Sequence, residues 1–178
     1  MVPVVFSLLA SAHLPKSSCG SSLILAPETC RSVHVDKQIS HGIVKAAFDA
    51  SVHGVNVVVK QPLQNGADSG TFKTFLPAAK LLKEAMYLHH MACKYPDHIA
   101  FYGVCIANDI LESFLVMGKG YAIAPDADVH TELHRLDDMG TVLADLKREQ
   151  FVSSENGTIS LIDWGDVVIK EPGWGFFL

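Results

Sequence analysis

Between Gln38 and Lys60 the apolar residues fall in short runs: Ile43, Val44, Ala46 and Phe48, then Val55, Val57, Val58 and Val59. Branched and aromatic side chains fit a pleated, half-buried surface. The pattern therefore predicts a β-hairpin with Asp49 to Gly54 as its turn region, followed by a further strand. Gln61 to Gly70 is polar and glycine-containing, as a connecting loop would be. From residue 76 to 94 the period changes. Leu81, Ala85, Leu88 and Ala92 recur at four- and three-residue steps, which predicts a helix with Glu84 beside its apolar stripe. Ile99 to Ile106 and Leu111 to Met117 read as two more strands around a turn at Asn108-Asp109. Asp126 to Leu136 reads as a second helix with Val129, Leu133 and Leu136 on one face and Gly140 as its terminator. Gln150 to Val152 and Thr158 to Ile162 form a short hairpin over Asn156-Gly157. Residues 1–35 carry no sustained period and read as a leader or irregular arm. The expected fold class is α+β, a β-rich front half over residues 36–117 and part of a helical back half over residues 118–178.

Composition narrows what such a chain can do. With 178 residues, 49% hydrophobic and 19% charged, it can bury a sizeable core and fits a globular domain better than a disordered tail. The net charge of −5 and the lack of a basic run give no electrostatic reason to expect a nucleic-acid partner. No segment is long enough to be transmembrane. Val2 to Ala12 is an apolar stretch ending in small residues, which suits the core of a secretory signal; a truncated start or a buried strand would read the same way. Localisation is left between the secretory pathway or extracellular space and the cytoplasm.

The four cysteines lack the paired spacing of a zinc site. Cys19 and Cys30 flank a loop and could bridge in an oxidising compartment, whereas Cys93 and Cys105 lie in apolar stretches that suit buried thiols. Asn156-Gly157-Thr158 is a glycosylation sequon, though Asn-Gly is equally a preferred hairpin turn.

The candidate chemistry lies in Leu143 to Phe151 and Leu161 to Asp166, a polar loop followed by a strand that ends in a carboxylate. Phosphoryl transfer needs one acid oxygen to orient the attacking hydroxyl and further oxygen ligands to hold magnesium on the nucleotide phosphates. Asp145, Gln150 and Asp163 can supply these. Asp145-Leu146-Lys147-Arg148-Glu149-Gln150 resembles a protein-kinase catalytic loop, with Gln150 at the position of its metal-binding Asn. Asp163-Trp164-Gly165 resembles the Asp-Phe-Gly motif, a short hairpin's length further on. Upstream, Val57-Val58-Val59-Lys60 resembles the third-strand Val-Ala-Ile-Lys, and Glu84 is placed like the helix Glu that pairs with that Lys. Pro96 to Cys105 and Phe114 to Met117 are similar to the strands that lead into the hinge. The likeness spans roughly residues 36–170, and several motifs in the right order are far harder to obtain by chance than one.

Within the protein-kinase-like superfamily the chain resembles the divergent secretory-pathway kinases of the vertebrate lonesome kinase group. The resemblance implies an N-lobe over residues 36–117, a partial C-lobe over 118–178, ATP and Mg2+ as cofactors, and a protein hydroxyl as acceptor. It implies Asp145 and Lys147 as catalytic residues, Gln150 and Asp163 as metal ligands, and Gly42, Val44, Lys60, Glu84, Met117 and Gly118 as the nucleotide site. Taken singly, Glu84 could be a solvated helix-flank carboxylate and Lys60 an exposed strand-end Lys. The pattern departs from the family's in three places. Lys37 and Ile39 stand where the first two phosphate-loop glycines would, and Leu143-Ala144 replaces the His-Arg before the catalytic Asp. Too few residues follow Gly165 for the usual C-terminal helices, so a fragment, a spliced form, or a partner that completes the lobe is expected. The alternatives carried forward are a pseudokinase that serves as a binding or scaffold module, and a small-molecule kinase of aminoglycoside-phosphotransferase type, suggested by Ile162-Asp163-Trp164-Gly165-Asp166.

Overall fold

A computed structural model describes residues 14, 16, 20–42, 45–63, 71–143, 146–164 and 167–169. It is a mixed α+β structure, as the periodicities predict. β1 (Val33–His41), β2 (Lys45–Val52), β3 (Val55–Pro62), β4 (Phe101–Cys105) and β5 (Phe114–Gly118) form one antiparallel sheet in the order β1-β2-β3-β5-β4. The helix α2 (Thr71–Lys94) crosses one face of that sheet; the shorter α1 (Pro27–Arg31) precedes β1.

The strand β3 explains why both faces are covered. Successive side chains in a strand point to opposite sides. Val58 accordingly joins Leu81, Ala85, Leu88 and Met91 of α2, while Val57 and Val59 join Ala50, Val52 and Val116 on the reverse. Leu25, Cys30 and Val33 of the N-terminal arm pack on that second cluster. The arm also pairs with the sheet edge, with Leu25 N donating to Val104 O and Val104 N to Leu23 O, each at 2.9 Å, so the main-chain groups of edge strand β4 are not left open. Close approach at this edge requires glycine. Gly103 has φ of +145°, and a Cβ there would meet Leu25 Cγ at 2.8 Å.

The back half is small. α3 (His130–Asp138) lies beside a hairpin of β8 (Phe151–Ser153) and β9 (Ile159–Leu161), which the two-residue strand β6 (Tyr121–Ala122) extends. β7 (Thr141–Leu143) pairs with β10 (Val167–Ile169). The buried Glu132 of α3 ties these parts to the main sheet. Its Oε1 accepts from Leu161 N at 2.8 Å and lies 3.2 Å from His98 Nε2 at the approach to β4. On the surface beside it, Arg135 lies over the Tyr95 ring and donates to Asp97 at 2.6 Å.

Several expectations are corrected. The arm is not irregular throughout, since α1 and the start of β1 fall within it. The first hairpin turns at His53-Gly54, because β2 runs on to Val52 and Val52 faces the core. α2 starts at Thr71, five residues before the start read from its apolar period. Residues 110–112 form a 3-10 turn rather than strand, with Asp109 accepting from Leu111 N. The second helix begins at His130, and β7 and β10 are too short to show a period. The Asn156-Gly157 turn forms as expected, Gly157 taking φ of +84°. Among the described residues no helix is long and apolar enough to cross a membrane.

Cys30 is bonded to Cys105, not to Cys19, and Cys105 and Cys93 are disulfide-bonded rather than free thiols. Burial of the Cys105 side chain was legible, but its partner comes from the arm folded over the far face of the sheet. Cys19 and the apolar stretch Val2 to Ala12 lie outside the described residues. The Cys30–Cys105 bridge closes a loop of 75 residues, so chain entropy alone predicts that Cys105→Ser lowers unfolding stability by about 4 kcal/mol. Urea unfolding of the oxidised protein and the variant measures this; superimposable transitions would contradict it.

Candidate functional site

Glu84 lies three residues after Leu81 and four before Leu88, inside the buried stripe of α2, and is itself fully buried. A buried carboxylate requires partners, and the sheet supplies two ammonium groups. Lys60 follows Val58 on the helix-facing side of β3, and its Nζ reaches Glu84 Oε1 at 2.5 Å. Ala47 of β2 is paired with Lys60 and Lys45 with Pro62, so Lys45 projects from the same face of the sheet. Its Nζ contacts Glu84 Oε2 and lies 2.6 Å from Asp163 Oδ1.

Asp163 is positioned by its neighbours. Ile162 N donates to Gln150 O at 2.8 Å, and Ile162 O accepts from Lys60 Nζ. Trp164 is fully buried, stacks on Tyr87 of α2 with ring centres 5.1 Å apart, and donates Nε1–H to Leu161 O at 3.0 Å. The aromatic residue thus pins the loop against the helix that carries Glu84, and leaves Asp163, with 37% of its side chain exposed, at the edge of a cleft.

The cleft has a volume of about 620 Å³ and runs between the sheet and the β8–β9 hairpin. This is within the ordinary range for a small-molecule site. Lys45, Lys60, Lys147, Gln150 and Asp163 bring polar groups to it, while Ala47, Val58, Met117 and Ile162 make apolar walls. Such a cavity can accept a planar apolar group at one end and an anionic group at the other.

The predicted residues come together unevenly. Gly42, Lys60, Met117, Gly118, Lys147, Gln150 and Asp163 all line the cleft, and Glu84 holds Lys60 from behind. Glu84 is a core residue rather than the edge carboxylate that the stripe suggests. Gly118 N donates to Ala100 O at 2.7 Å, so that amide is already used. Lys147 N donates to Gln150 Oε1 at 2.7 Å, which turns the amide oxygen toward its own loop. Lys37 and Ile39 lie in β1, and Ile39 reaches the cleft wall where a glycine-rich loop would offer main-chain amides. Gly120 approaches the hairpin closely, a Cβ there falling 2.4 Å from Val152 Cγ2. Val44 and Asp145 lie outside the described residues.

Lys45 is the residue that sequence reasoning missed. Its signal was faint but present: a lysine opening a strand whose next residues are Ala46, Ala47 and Phe48, two positions before a residue that pairs with Lys60. The two lysines differ electrostatically. Burial pulls the Lys45 ammonium down, but Glu84 and Asp163 together carry it above its ordinary 10.5. Burial dominates at Lys60 and, only partly offset by Glu84, holds it below 10.5.

No family model and no curated protein matches the chain.

The shared carboxylate generates a prediction. Glu84→Gln leaves Lys60 buried without its carboxylate and Lys45 with Asp163 alone, and is expected to cost about 3–5 kcal/mol in urea unfolding at neutral pH. Lys45 contributes stability below 10.5 and loses it as pH rises through its raised folded value, so the deficit of Lys45→Met should shrink at high pH. Lys60 has the opposite sign. Its contribution is present above 10.5 and is lost as pH falls through its depressed folded value, so Lys60→Met should diverge from Lys45→Met in pH dependence. Parallel stability profiles for the two would contradict this assignment.

Proposed function

We propose that the chain is a nucleotide-binding phosphotransferase of protein-kinase type, using ATP and Mg2+ and acting on a protein hydroxyl. The observation that carries the reading is the buried Lys60–Glu84 pair, on the wall of a cleft whose rim holds Asp163. The sheet order, the single long helix across it and the hairpin beneath it suit the two-lobed arrangement that the motifs resemble.

In this reading the apolar walls at Val58 and Met117 take the adenine, and Lys60, held by Glu84, contacts the α- and β-phosphates. The donor chemistry at Asp163 suits a hard cation, since Mg2+ is ordinarily held by one or two carboxylates together with substrate phosphates. Mg2+ there would neutralise charge on the phosphates. Gln150 can serve as a further oxygen ligand only after its amide leaves Lys147 N. Lys147 faces the cleft, where its charge can offset that of the transferred group, and Asp145 would orient the acceptor hydroxyl. The Cys30–Cys105 bridge favours an oxidising compartment, in keeping with a secretory-pathway protein.

A pseudokinase that binds nucleotide or a partner without transfer is favoured by one observation. Both metal-ligand candidates among the described residues are engaged, Asp163 by Lys45 and Gln150 by Lys147 N. Two measurements decide. Mg-ATP at 100 times its dissociation constant should stabilise the protein by about 2.7 kcal/mol, and Asp163→Asn should lose most of that shift. Phosphate transfer from labelled ATP that disappears in Asp145→Asn establishes the enzyme. Binding without transfer establishes a nucleotide-binding pseudokinase, and the lack of any thermal shift removes nucleotide binding and leaves only the partner-binding module.

A further inference from the structure

We propose that Lys45 is a built-in counter-cation that closes Asp163 to divalent metal until nucleotide phosphates draw it away, so that metal enters this site only together with nucleotide. The inference rests on the nucleotide-binding reading and goes beyond it by assigning an order of loading.

Four groups meet at the head of the cleft: Lys45 and Lys60 from the sheet, Glu84 from α2 and Asp163 from the loop after β9. Among the described residues these are two ammonium groups and two carboxylates, which balance in charge. Glu84 is wholly enclosed and Lys45 has only 12% of its side chain exposed, so water screens their contact weakly, while Asp163 stays partly open at the edge of the cleft. A divalent ion approaching Asp163 would meet an ammonium 2.6 Å from Oδ1 and a second held behind it on Glu84. Metal alone must therefore displace a partly buried ion pair against like charge, leaving Lys45 only Glu84, a carboxylate that Lys60 already shares.

A nucleotide changes that balance. Its phosphates bring several negative charges into a cleft that Lys45 already lines. The Lys45 ammonium sits on a flexible four-carbon stem, so it can exchange Asp163 for a phosphate oxygen without moving the strand. Lys60 is differently placed. It shares Glu84 with Lys45 but is held in addition by the carbonyl of Ile162, a main-chain contact that fixes it against the loop. One lysine is thus a fixed part of the wall and the other the exchangeable partner of the metal carboxylate. Ile39 stands where main-chain amides of a glycine-rich loop would offer donors to phosphate, which makes a second mobile cation at this place useful.

The test uses Mn2+ as the probe, with bound and free metal distinguished by electron paramagnetic resonance. Without nucleotide, Lys45→Gln should bind Mn2+ on the order of tenfold more tightly than the native chain, a usual size for coupling between competing ligands. Lys45→Arg, which keeps the cation, should behave as the native chain. Asp163→Asn introduced into Lys45→Gln should abolish the gain and so locate the ion. Lys45→Met, which retains the apolar stem, serves if the Gln variant does not fold. Equal Mn2+ affinity in the native chain and the neutral variants overturns the proposal. If those proteins still bind nucleotide with metal, the functional reading stands without it. If none of them binds nucleotide with metal, the functional reading falls first and this inference with it.

Discussion

Everything at the head of the cleft depends on Glu84, a carboxylate placed in the middle of an apolar helix stripe and left with no water. Such a group is strongly destabilising alone and tolerable only with close, well-oriented counter-charges. Two lysines provide them, one from β2 and one from β3, so the helix cannot shift along the sheet without uncovering a charge. Through Lys45 the same constraint extends to Asp163. The apolar stacking of Trp164 on Tyr87 acts in parallel, because it fixes the neighbouring residue of that loop to the same helix. Geometry at the cleft therefore follows the position of α2.

The sheet can act as a rigid wall for this site because its centre, at β3, is buried on both sides. The helix face and the arm face divide the valines of β3 between them, and the bond between Cys30 and Cys105 holds the arm in place on the second face. Glu132 performs a comparable role lower down, joining α3, β9 and the start of β4 through one carboxylate. The cleft lies between these two anchored regions. An apolar ring can be enclosed between them while charged groups remain at the rim.

Much of the local structure was legible in the residues. The valine run of β3, the four- and three-residue steps of α2 and the Asn156-Gly157 turn each announce themselves within a few positions. The alternation along β3 also implied that Lys60 would share the inward side of Val58. Limits appear where an element is too short or too polar to show a period. β1, an edge strand with two register shifts and an exposed surface, starts at Val33, within the segment that reads as arm; β7 and β10 have three residues each.

The candidate site divides along the same line. Local period and residue type placed Lys60 at the end of a valine run, Glu84 beside the apolar stripe of α2 and Asp163 after a strand. Only the tertiary structure decided that Lys45, 118 positions from Asp163, meets it, that Glu84 serves two lysines, and that Cys30 bonds Cys105 across 75 residues. The physical reason is that side-chain direction along one element is set by backbone geometry, which repeats every two or 3.6 residues. Which distant group lies opposite depends instead on strand register and on how sheet, helix and arm stack, and no short stretch of residues carries that information.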